Sequence, residues 1–358
     1  MTLAPLLLAI VSLGQPAEPA EKVFVGYLYG PPGKLDFKLY THICHAFVTA
    51  NADGTIQANR LVPNRKLVDD AHQAGVRVLL SLGGWGWDAN FAAMAKNTEA
   101  EDRYCEAVLA LVRDNGYDGI DLDWEYPDTK AEVEGFERLV KRLRAGLDAI
   151  AKERGGKRLE LTMAASANPG TLRWLKSDFL QENMDWINVM TYDMAGDWTD
   201  YAGHNAPLFP SSKQPGTPLS ASTTIEFLLN EHKLPADKIA LGIPLYGRGF
   251  PVAEPYASTK GAPKTRVPGG NFRGVESLLK KGWTREWDDQ TKTPWLRAPD
   301  GKAVIGYDDP ESVSLKAAWA KDKNLRGVFF WEINADRMPD GTHPLQDSAR
   351  KSLFPQPK

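Results

Sequence analysis

The sequence has few residues from which a metal site or a disulfide scaffold could be built. Its 358 residues include two cysteines, Cys44 and Cys105, and six scattered histidines. No C-x-x-C pair of the kind that holds zinc is present. Two cysteines can form at most one disulfide, which is not a disulfide scaffold for so long a chain. We interpret them as buried free thiols. We expect neither a metal nor any other cofactor.

Neither sign of charge dominates the sequence. The 43 Lys and Arg residues nearly balance the 46 Asp and Glu residues, and the formal net charge is −3. Binding to nucleic acid or to an anionic membrane requires a concentration of positive charge, which is missing here. We therefore expect no nucleic acid partner, and the substrate need not be charged.

A long apolar run is also lacking, except at the amino terminus. Residues Leu3–Leu13 are apolar but too few to span a bilayer, and the small residues Ala17 and Ala20 follow. Although no Lys or Arg precedes it, this pattern predicts a signal peptide over residues 1–20. We expect a secreted protein, extracellular or periplasmic, without a membrane span; a cytoplasmic protein with an apolar amino terminus is the alternative.

Short β-branched or aromatic segments alternate with helical periodicity along the rest of the chain. The segments predicted to be strands are 23–28, 42–48, 76–82, 119–124, 159–164, 186–190, 239–245 and 327–331. Those predicted to be helices are 65–74, 101–115, 131–154, 172–182, 222–233 and 310–323. Strand alternating with helix predicts an α/β protein with a (β/α)8 TIM barrel.

One interval, between Arg248 and Val304, is far longer than a helix and its loops require. It begins with a stretch rich in Pro, Gly and Ser and then shows a helical segment and two short strand segments, at 251–270, 275–281, 284–287 and 294–298. We predict a small α+β insertion over residues 249–303, between strands 7 and 8. The barrel itself is then formed by residues 21–248 and 304–358.

The fourth predicted strand carries acids on one face. Because side chains alternate along a strand, the inner face carries Asp121, Asp123 and Glu125. The opposite face, which packs against the helices, carries Ile120, Leu122 and Trp124. Closely spaced carboxyls inside a barrel must share protons or be held by donors. We expect Glu125 at the mouth, where barrel active sites lie, with Asp123 hydrogen-bonded to it. A solvated acidic edge strand is the alternative, which the apolar outer face disfavours.

The spacing of Asp118, Asp121, Asp123 and Glu125 resembles the Asp-x-x-Asp-x-Asp-x-Glu signature of family 18 glycoside hydrolases, the chitinase family. The resemblance covers nearly the whole chain after residue 20, through the segments Ser81–Trp85, Met190–Asp193, Gly242–Arg248 and Trp331. It implies an enzyme that hydrolyses β-1,4 linkages between N-acetylglucosamine units of chitin or chitooligosaccharides with retention at C1.

The resemblance also implies roles for single residues. Glu125 acts first as acid and then as base, while Asp123 orients the C2 acetamido N–H of the substrate. Tyr192 donates to the acetamido oxygen, which attacks C1 in place of a protein nucleophile. For Asp121 the expectation comes from its place on the strand, beneath Asp123, where it can share or exchange a proton with the other carboxyls. Substrate-binding residues are expected to be Tyr27, Phe47, Trp85, Met190, Asp193, Trp198, Tyr246, Arg248 and Trp331.

Aromatic residues at strand ends offer flat apolar faces to sugar rings, although core packing is the alternative for any one of them. The insertion resembles the wall of the cleft in many chitinases, with Trp283, Trp287 and Trp295 as candidates for that wall. We expect a monomer that binds glycans containing N-acetylglucosamine.

Other functions stay open. An endo-β-N-acetylglucosaminidase or a peptidoglycan-directed hydrolase would use the same chemistry, because any sugar with a C2 acetamido group can assist. A lectin of the same fold binds chitin without cutting it, but such proteins lose the acid that Glu125 supplies. A purely structural barrel would have no use for carboxyls in its lumen.

Overall fold

The computed structural model describes residues 21–263 and 267–354 and contains a closed barrel of eight parallel strands. Barrel strands 1–8 are Val23–Tyr29, His42–Ala50, Arg77–Gly83, Gly119–Asp123, Glu160–Ala165, Trp186–Val189, Ile239–Pro244 and Gly327–Trp331. Each strand pairs in parallel with the next, and strand 8 closes the barrel against strand 1. The predicted (β/α)8 barrel is confirmed.

Helices cover the outside of the barrel. Their bounds are Arg65–Gln73, Asp88–Met94, Thr98–Asn115, Lys130–Glu153, Pro169–Leu172, Ser177–Asn183, Ala221–Glu226, Pro310–Asp322 and Pro344–Leu353. A π-helical turn, Phe227–Glu231, continues one of them, and 3-10 turns lie at Phe37–Leu39, Ala236–Lys238 and Ile333–Asp336. The helix predicted over 172–182 is divided in two, because Lys176 adopts an extended conformation between the parts.

Strand 4 has the alternation that its sequence predicts. Ile120, Leu122 and Trp124 are fully buried in the layer between strand and helices. The Trp124 ring stacks on Phe91, with 5.5 Å between ring centroids. Burial of side chains of this size contributes about 2 to 3 kcal/mol each. This apolar outer face orients the strand so that its carboxyls point into the barrel.

The insertion between strands 7 and 8 is an antiparallel sheet with one helix, Phe272–Leu279. Its strands lie in the order Gly270–Asn271, Tyr246–Phe250, Val304–Gly306, Thr293–Arg297 and Thr284–Asp288. The predicted boundaries at residues 249 and 303 separate strands that belong to this one sheet. Arg248 pairs with Gly306 and Phe250 with Val304, on both sides of those boundaries. The strand that leads into the insertion therefore pairs antiparallel with the strand that leads out of it. Tyr246 and Arg248 lie on the first of these strands and belong to the sheet of the insertion.

A short strand, Ile56–Gln57, pairs antiparallel with the end of strand 2. Cys44 and Cys105 are buried free thiols. Within residues 21–263 and 267–354, no helix combines the length and apolarity needed to cross a membrane. The predicted signal peptide, residues 1–20, lies outside the described residues.

Candidate active site

A cavity of about 590 Å³ opens at the carboxyl ends of the barrel strands. The predicted site residues that line it are Tyr27, Phe47, Trp85, Asp123, Glu125, Met190, Tyr192, Asp193 and Trp331. It is also lined by residues for which we had no prediction, namely Tyr29, Thr49, Gln57, Ala58, Asn59, Gly83, Gly84, Trp87 and Ala164. Among these, Gln57 ends the short strand after strand 2, and residues 58–59 follow it in a loop without a recognisable motif. The two glycines belong to the segment that resembles the family.

Asp121 lies beneath the cavity and is held by four donors from four strands. Its Oδ2 accepts the hydroxyls of Tyr27 and Ser81, each at 2.8 Å. Its Oδ1 accepts the Thr162 hydroxyl at 2.7 Å and the Asn188 amide at 3.2 Å. Burial raises the pKa of Asp121, and these donors oppose the rise because they favour the ionised form. Donors thus occupy both oxygens of Asp121.

Asp123 has very different surroundings. Within the described part of the chain, its buried Oδ1 has no hydrogen-bond partner. Burial and then the charges of Glu125 and Asp121 raise the pKa of Asp123 well above its ordinary value. The expected hydrogen bond between Asp123 and Glu125 is not formed, because the regular strand ends at Asp123 and the chain bends at Glu125. Asp123 therefore has a buried oxygen whose hydrogen-bonding capacity is not used within the protein.

Glu125 is the carboxyl at the mouth of the barrel. Burial raises its pKa from the ordinary 4.5 to about 7, and the charge of Asp193 adds to the rise. The hydroxyl of Tyr126 acts in the opposite direction because it stabilises the ionised form. A carboxyl with a pKa near neutrality can donate a proton in one step and accept it back in the next.

Tyr192 contributes a hydroxyl to the cavity. Its ring packs between Tyr246 and Phe329, with centroid distances of 6.2 Å and 6.0 Å. Burial raises the pKa of Tyr192 well above its ordinary value. The hydroxyl therefore stays protonated at neutral pH and can serve as a hydrogen-bond donor.

Asp193 connects the cavity to the insertion. Its Oδ1 accepts the Tyr246 hydroxyl at 2.7 Å and is paired with the Arg248 guanidinium, at 2.9 Å from Nε and 2.5 Å from Nη2. The same guanidinium lies over the Trp198 ring, 4.8 Å from its centroid. Tyr246, Arg248 and Trp198 do not line the cavity themselves but contact it through Asp193.

An aromatic surface forms one side of the cavity. The Trp331 ring lies next to three others, with centroid distances of 5.7 Å to Tyr27, 5.9 Å to Tyr29 and 5.7 Å to Phe47. On the rim, Trp85 is 82% exposed, as expected for a ring that contacts a ligand rather than the core.

Two glycines bring the loop after strand 3 against strand 4. The N–H of Gly84 donates to the carbonyl of Asp123 at 2.8 Å. Gly83 has φ +107°, and a Cβ at this position would lie 2.2 Å from the same carbonyl oxygen. Only glycine allows this conformation and this approach.

The tryptophans of the insertion do not form a wall of this cavity. None of Trp283, Trp287 and Trp295 lines it. Trp295 is 2% exposed, and its ring is 4.1 Å from that of His204. It belongs to a buried cluster between the insertion and the loop after strand 6, which also contains Ala195 and Ala202.

Similarity to known proteins extends over the barrel and the insertion. The sequence profile of Glycosyl hydrolases family 18 matches residues 22–336. Chitinase 1 of Aphanocladium album is 31% identical over 357 residues, which cover 91% of this chain and 82% of that protein. A GH18 chitinase mutant from Cycas revoluta, solved in complex with (GlcNAc)4, aligns with a TM-score of 0.80 and 29% identity over 93% of this chain and 100% of its own. Catalytic domain 2 of the Group II chitinase of Ostrinia furnacalis aligns with a TM-score of 0.83 and 26% identity, over 93% and 96% of the two chains.

Proposed function

The chain belongs to family 18 of the glycosyl hydrolases, and we propose that this glycoside hydrolase cleaves β-1,4 linkages between N-acetylglucosamine units of chitin or chitooligosaccharides. The observation that carries the proposal is the pairing of two carboxyls in one aromatic cavity. Glu125 has a pKa of about 7, and Asp123 keeps a buried oxygen without a partner.

In the first step Glu125, protonated, donates its proton to the glycosidic oxygen while the bond from that oxygen to C1 breaks. Positive charge develops at C1 and must be met by a nucleophile. The carbonyl oxygen of the C2 acetamido group attacks C1 and forms an oxazolinium ion.

The surroundings of the other carboxyls favour this substrate assistance over a protein nucleophile. Asp121 lies outside the cavity, with donors on both oxygens. Asp193 is paired with Arg248 and Tyr246. The raised pKa of Asp123 disfavours the ionised form that a nucleophile requires, and its carboxyl group can hydrogen-bond with the acetamido group instead.

Asp123 and Tyr192 hold the acetamido group in this scheme. A carboxyl oxygen of Asp123, which lines the cavity, accepts the acetamido N–H, and the Tyr192 hydroxyl donates to the acetamido oxygen. Glu125, now ionised, then takes a proton from a water molecule that attacks C1 from the side of the departed group. Two inversions at C1 give net retention.

The rest of the cavity supports binding of an uncharged sugar chain. The rings of Trp331, Phe47 and Tyr29 offer apolar faces on which pyranose rings stack. The exposed Trp85 extends this surface along the rim. A sugar chain bound across these rings places one linkage beside Glu125.

The test compares chitotetraose with the fully deacetylated glucosamine tetramer. We expect hydrolysis of chitotetraose alone, with the β anomer formed first, as followed by proton NMR. Hydrolysis of the deacetylated tetramer at a similar rate would contradict substrate assistance, and an α anomer formed first would contradict retention.

Two further substrates separate chitin from other glycans with the same sugar. A high-mannose glycopeptide and a peptidoglycan fragment are assayed at equal concentration beside chitotetraose. Faster cleavage of the glycopeptide would indicate an endo-β-N-acetylglucosaminidase instead of a chitinase. Faster cleavage of the peptidoglycan fragment would indicate a peptidoglycan hydrolase.

A further inference from the structure

A buried amide, Asn205, joins the two chain segments that hold the acetamido side of the cavity. Its Oδ1 accepts the backbone N–H of Asp193 at 3.0 Å. Its Nδ2 donates to the backbone carbonyl of Tyr246 at 3.1 Å. The residue is 1% exposed, so water does not compete for either bond.

The backbone that Asn205 holds is in an unfavourable conformation. Asp193 has φ +56°, in the left-handed region that residues other than glycine rarely adopt. Such a conformation persists when surrounding contacts enforce it. Asn205 supplies two of them, because its own backbone carbonyl also accepts the N–H of Met194 at 3.0 Å.

These contacts close a ring. From the Asp193 backbone the path runs through the Asn205 amide to the Tyr246 backbone, and from the Tyr246 hydroxyl back to the Asp193 carboxylate. Tyr192 immediately precedes Asp193, so the ring also holds the backbone from which the Tyr192 side chain extends. Asp193 and Tyr192 both line the cavity, whereas Asn205 does not.

We propose that Asn205 is a positioning residue for hydrolysis, which acts by holding Tyr192 and Asp193 in place through this ring. The proposal rests on the proposed function. Small displacements of groups that contact the reacting atoms reduce rates strongly, because the transition state depends on their geometry more than substrate binding does. Loss of Asn205 is therefore expected to lower kcat more than it raises KM.

The test measures chitotetraose kinetics of Asn205→Ala and of the isosteric Asn205→Asp. For Asn205→Ala we expect kcat to fall by about 10-fold to 100-fold with a smaller change in KM. Asn205→Asp keeps the acceptor for the Asp193 N–H but places a carboxyl oxygen opposite the Tyr246 carbonyl, so its kcat should also fall below that of wild type. Near-UV circular dichroism confirms that each variant is folded.

A double-mutant cycle with Tyr246→Phe tests the ring itself, since residues in one network are not additive. In the Tyr246→Phe background the further loss of kcat from Asn205→Ala should be several-fold smaller. The matched control is Asn64→Ala, because Asn64 accepts the backbone N–H of Leu67 at 3.0 Å at a helix start outside the cavity. That variant should keep the wild-type kcat.

The outcomes distinguish failure of the proposed function from failure of the positioning role of Asn205. An inactive wild-type protein contradicts the proposed function. An active wild type with unchanged kcat in Asn205→Ala, or losses of kcat that multiply fully in the double variant, overturns the positioning role of Asn205 alone.

Discussion

Single residues on one strand face differ in chemistry because their neighbours differ. Asp121 and Asp123 lie two residues apart on strand 4, yet four donors surround the first and none reaches Oδ1 of the second among the described residues. Glu125, two residues further, lies in the open cavity. The pKa of each carboxyl follows from these surroundings, and the proposed division of roles depends on them.

Replacement of the proposed acid tests its role directly. Glu125→Gln retains the shape of the side chain but has no proton to donate, so kcat should fall by about 10²-fold to 10⁴-fold. Binding of chitotetraose, measured by calorimetry, should change little. The matched control is Glu134→Gln on an exposed helix surface, which should be fully active. Substantial activity of Glu125→Gln would exclude Glu125 as the acid.

The pH dependence of kcat/KM tests the surroundings of Glu125. The acid must be protonated, so activity should decline as the pH rises through about 7. The charge of Asp193 raises this pKa and the Tyr126 hydroxyl lowers it. Asp193→Asn should therefore move the alkaline limb to lower pH, and Tyr126→Phe should move it to higher pH. Shifts in the same direction for both variants would contradict this account.

At the scale of elements, strand 4 carries the proposed catalytic groups at one end and a structural group at the other. Asp118 precedes the strand, and its Oδ2 accepts the backbone N–H of Val78 at 2.8 Å and lies 2.8 Å from His72 Nε2. The first contact joins strands 3 and 4 at the amino-terminal end of the barrel, and the second joins the helix Arg65–Gln73 to the same point. Residues at that end serve stability in barrels of this type. The first acid of the signature is thus interpreted as structural.

Asp118→Ala should lower stability and leave catalysis unchanged. The variant leaves the Val78 N–H without its carboxylate acceptor, so the free energy of unfolding should fall by about 1 to 3 kcal/mol in urea denaturation. Its kcat and pH profile should equal those of wild type. Asp69→Ala, which removes an exposed ion pair with Arg65, is the control and should cost less than about 1 kcal/mol. A large loss of kcat in Asp118→Ala would place this residue in the catalytic network.

At the scale of the whole molecule, the raised pKa of Glu125 has a cost in stability. The folded protein disfavours the ionised form, whose ordinary pKa is 4.5 and whose folded pKa is about 7. The penalty is therefore absent below pH 4.5, grows between the two values and is complete above pH 7. It amounts to on the order of 3 kcal/mol.

Glu125→Gln should accordingly be more stable than wild type at pH 8 and equally stable at pH 4. Urea denaturation at the two pH values measures the difference, and the amide removes the penalty because it cannot ionise. A stability gain of the same size at pH 4 would show that ionisation is not its cause.

The predicted signal peptide can be tested by finding where the secreted protein begins. Strand 1 begins at Val23, which pairs with Gly327 and closes the barrel. Cleavage near residue 20 would leave this pairing intact. We predict that a secreting host releases a chain starting near Glu21, identified by amino-terminal sequencing, with the Tm of a recombinant chain 21–358. A start beyond Val23 would contradict the predicted boundary.

The sequence by itself determined the barrel, the inward face of strand 4 and half of the residues that line the cavity. Those features depend on the local alternation of side chains and on motifs at strand ends, which a linear pattern records. Ile120, Leu122 and Trp124 face the helices because the period of a strand is two.

Only the tertiary structure decided which side chains meet between distant segments. Asn205 contacts Tyr246 because the insertion sheet returns to the barrel mouth, and Trp295 is buried between that insertion and the loop after strand 6 rather than in the wall of the cavity. The bend after Asp123 likewise separates two carboxyls that an ideal strand would align. These arrangements result from barrel closure and loop packing, which no local period encodes.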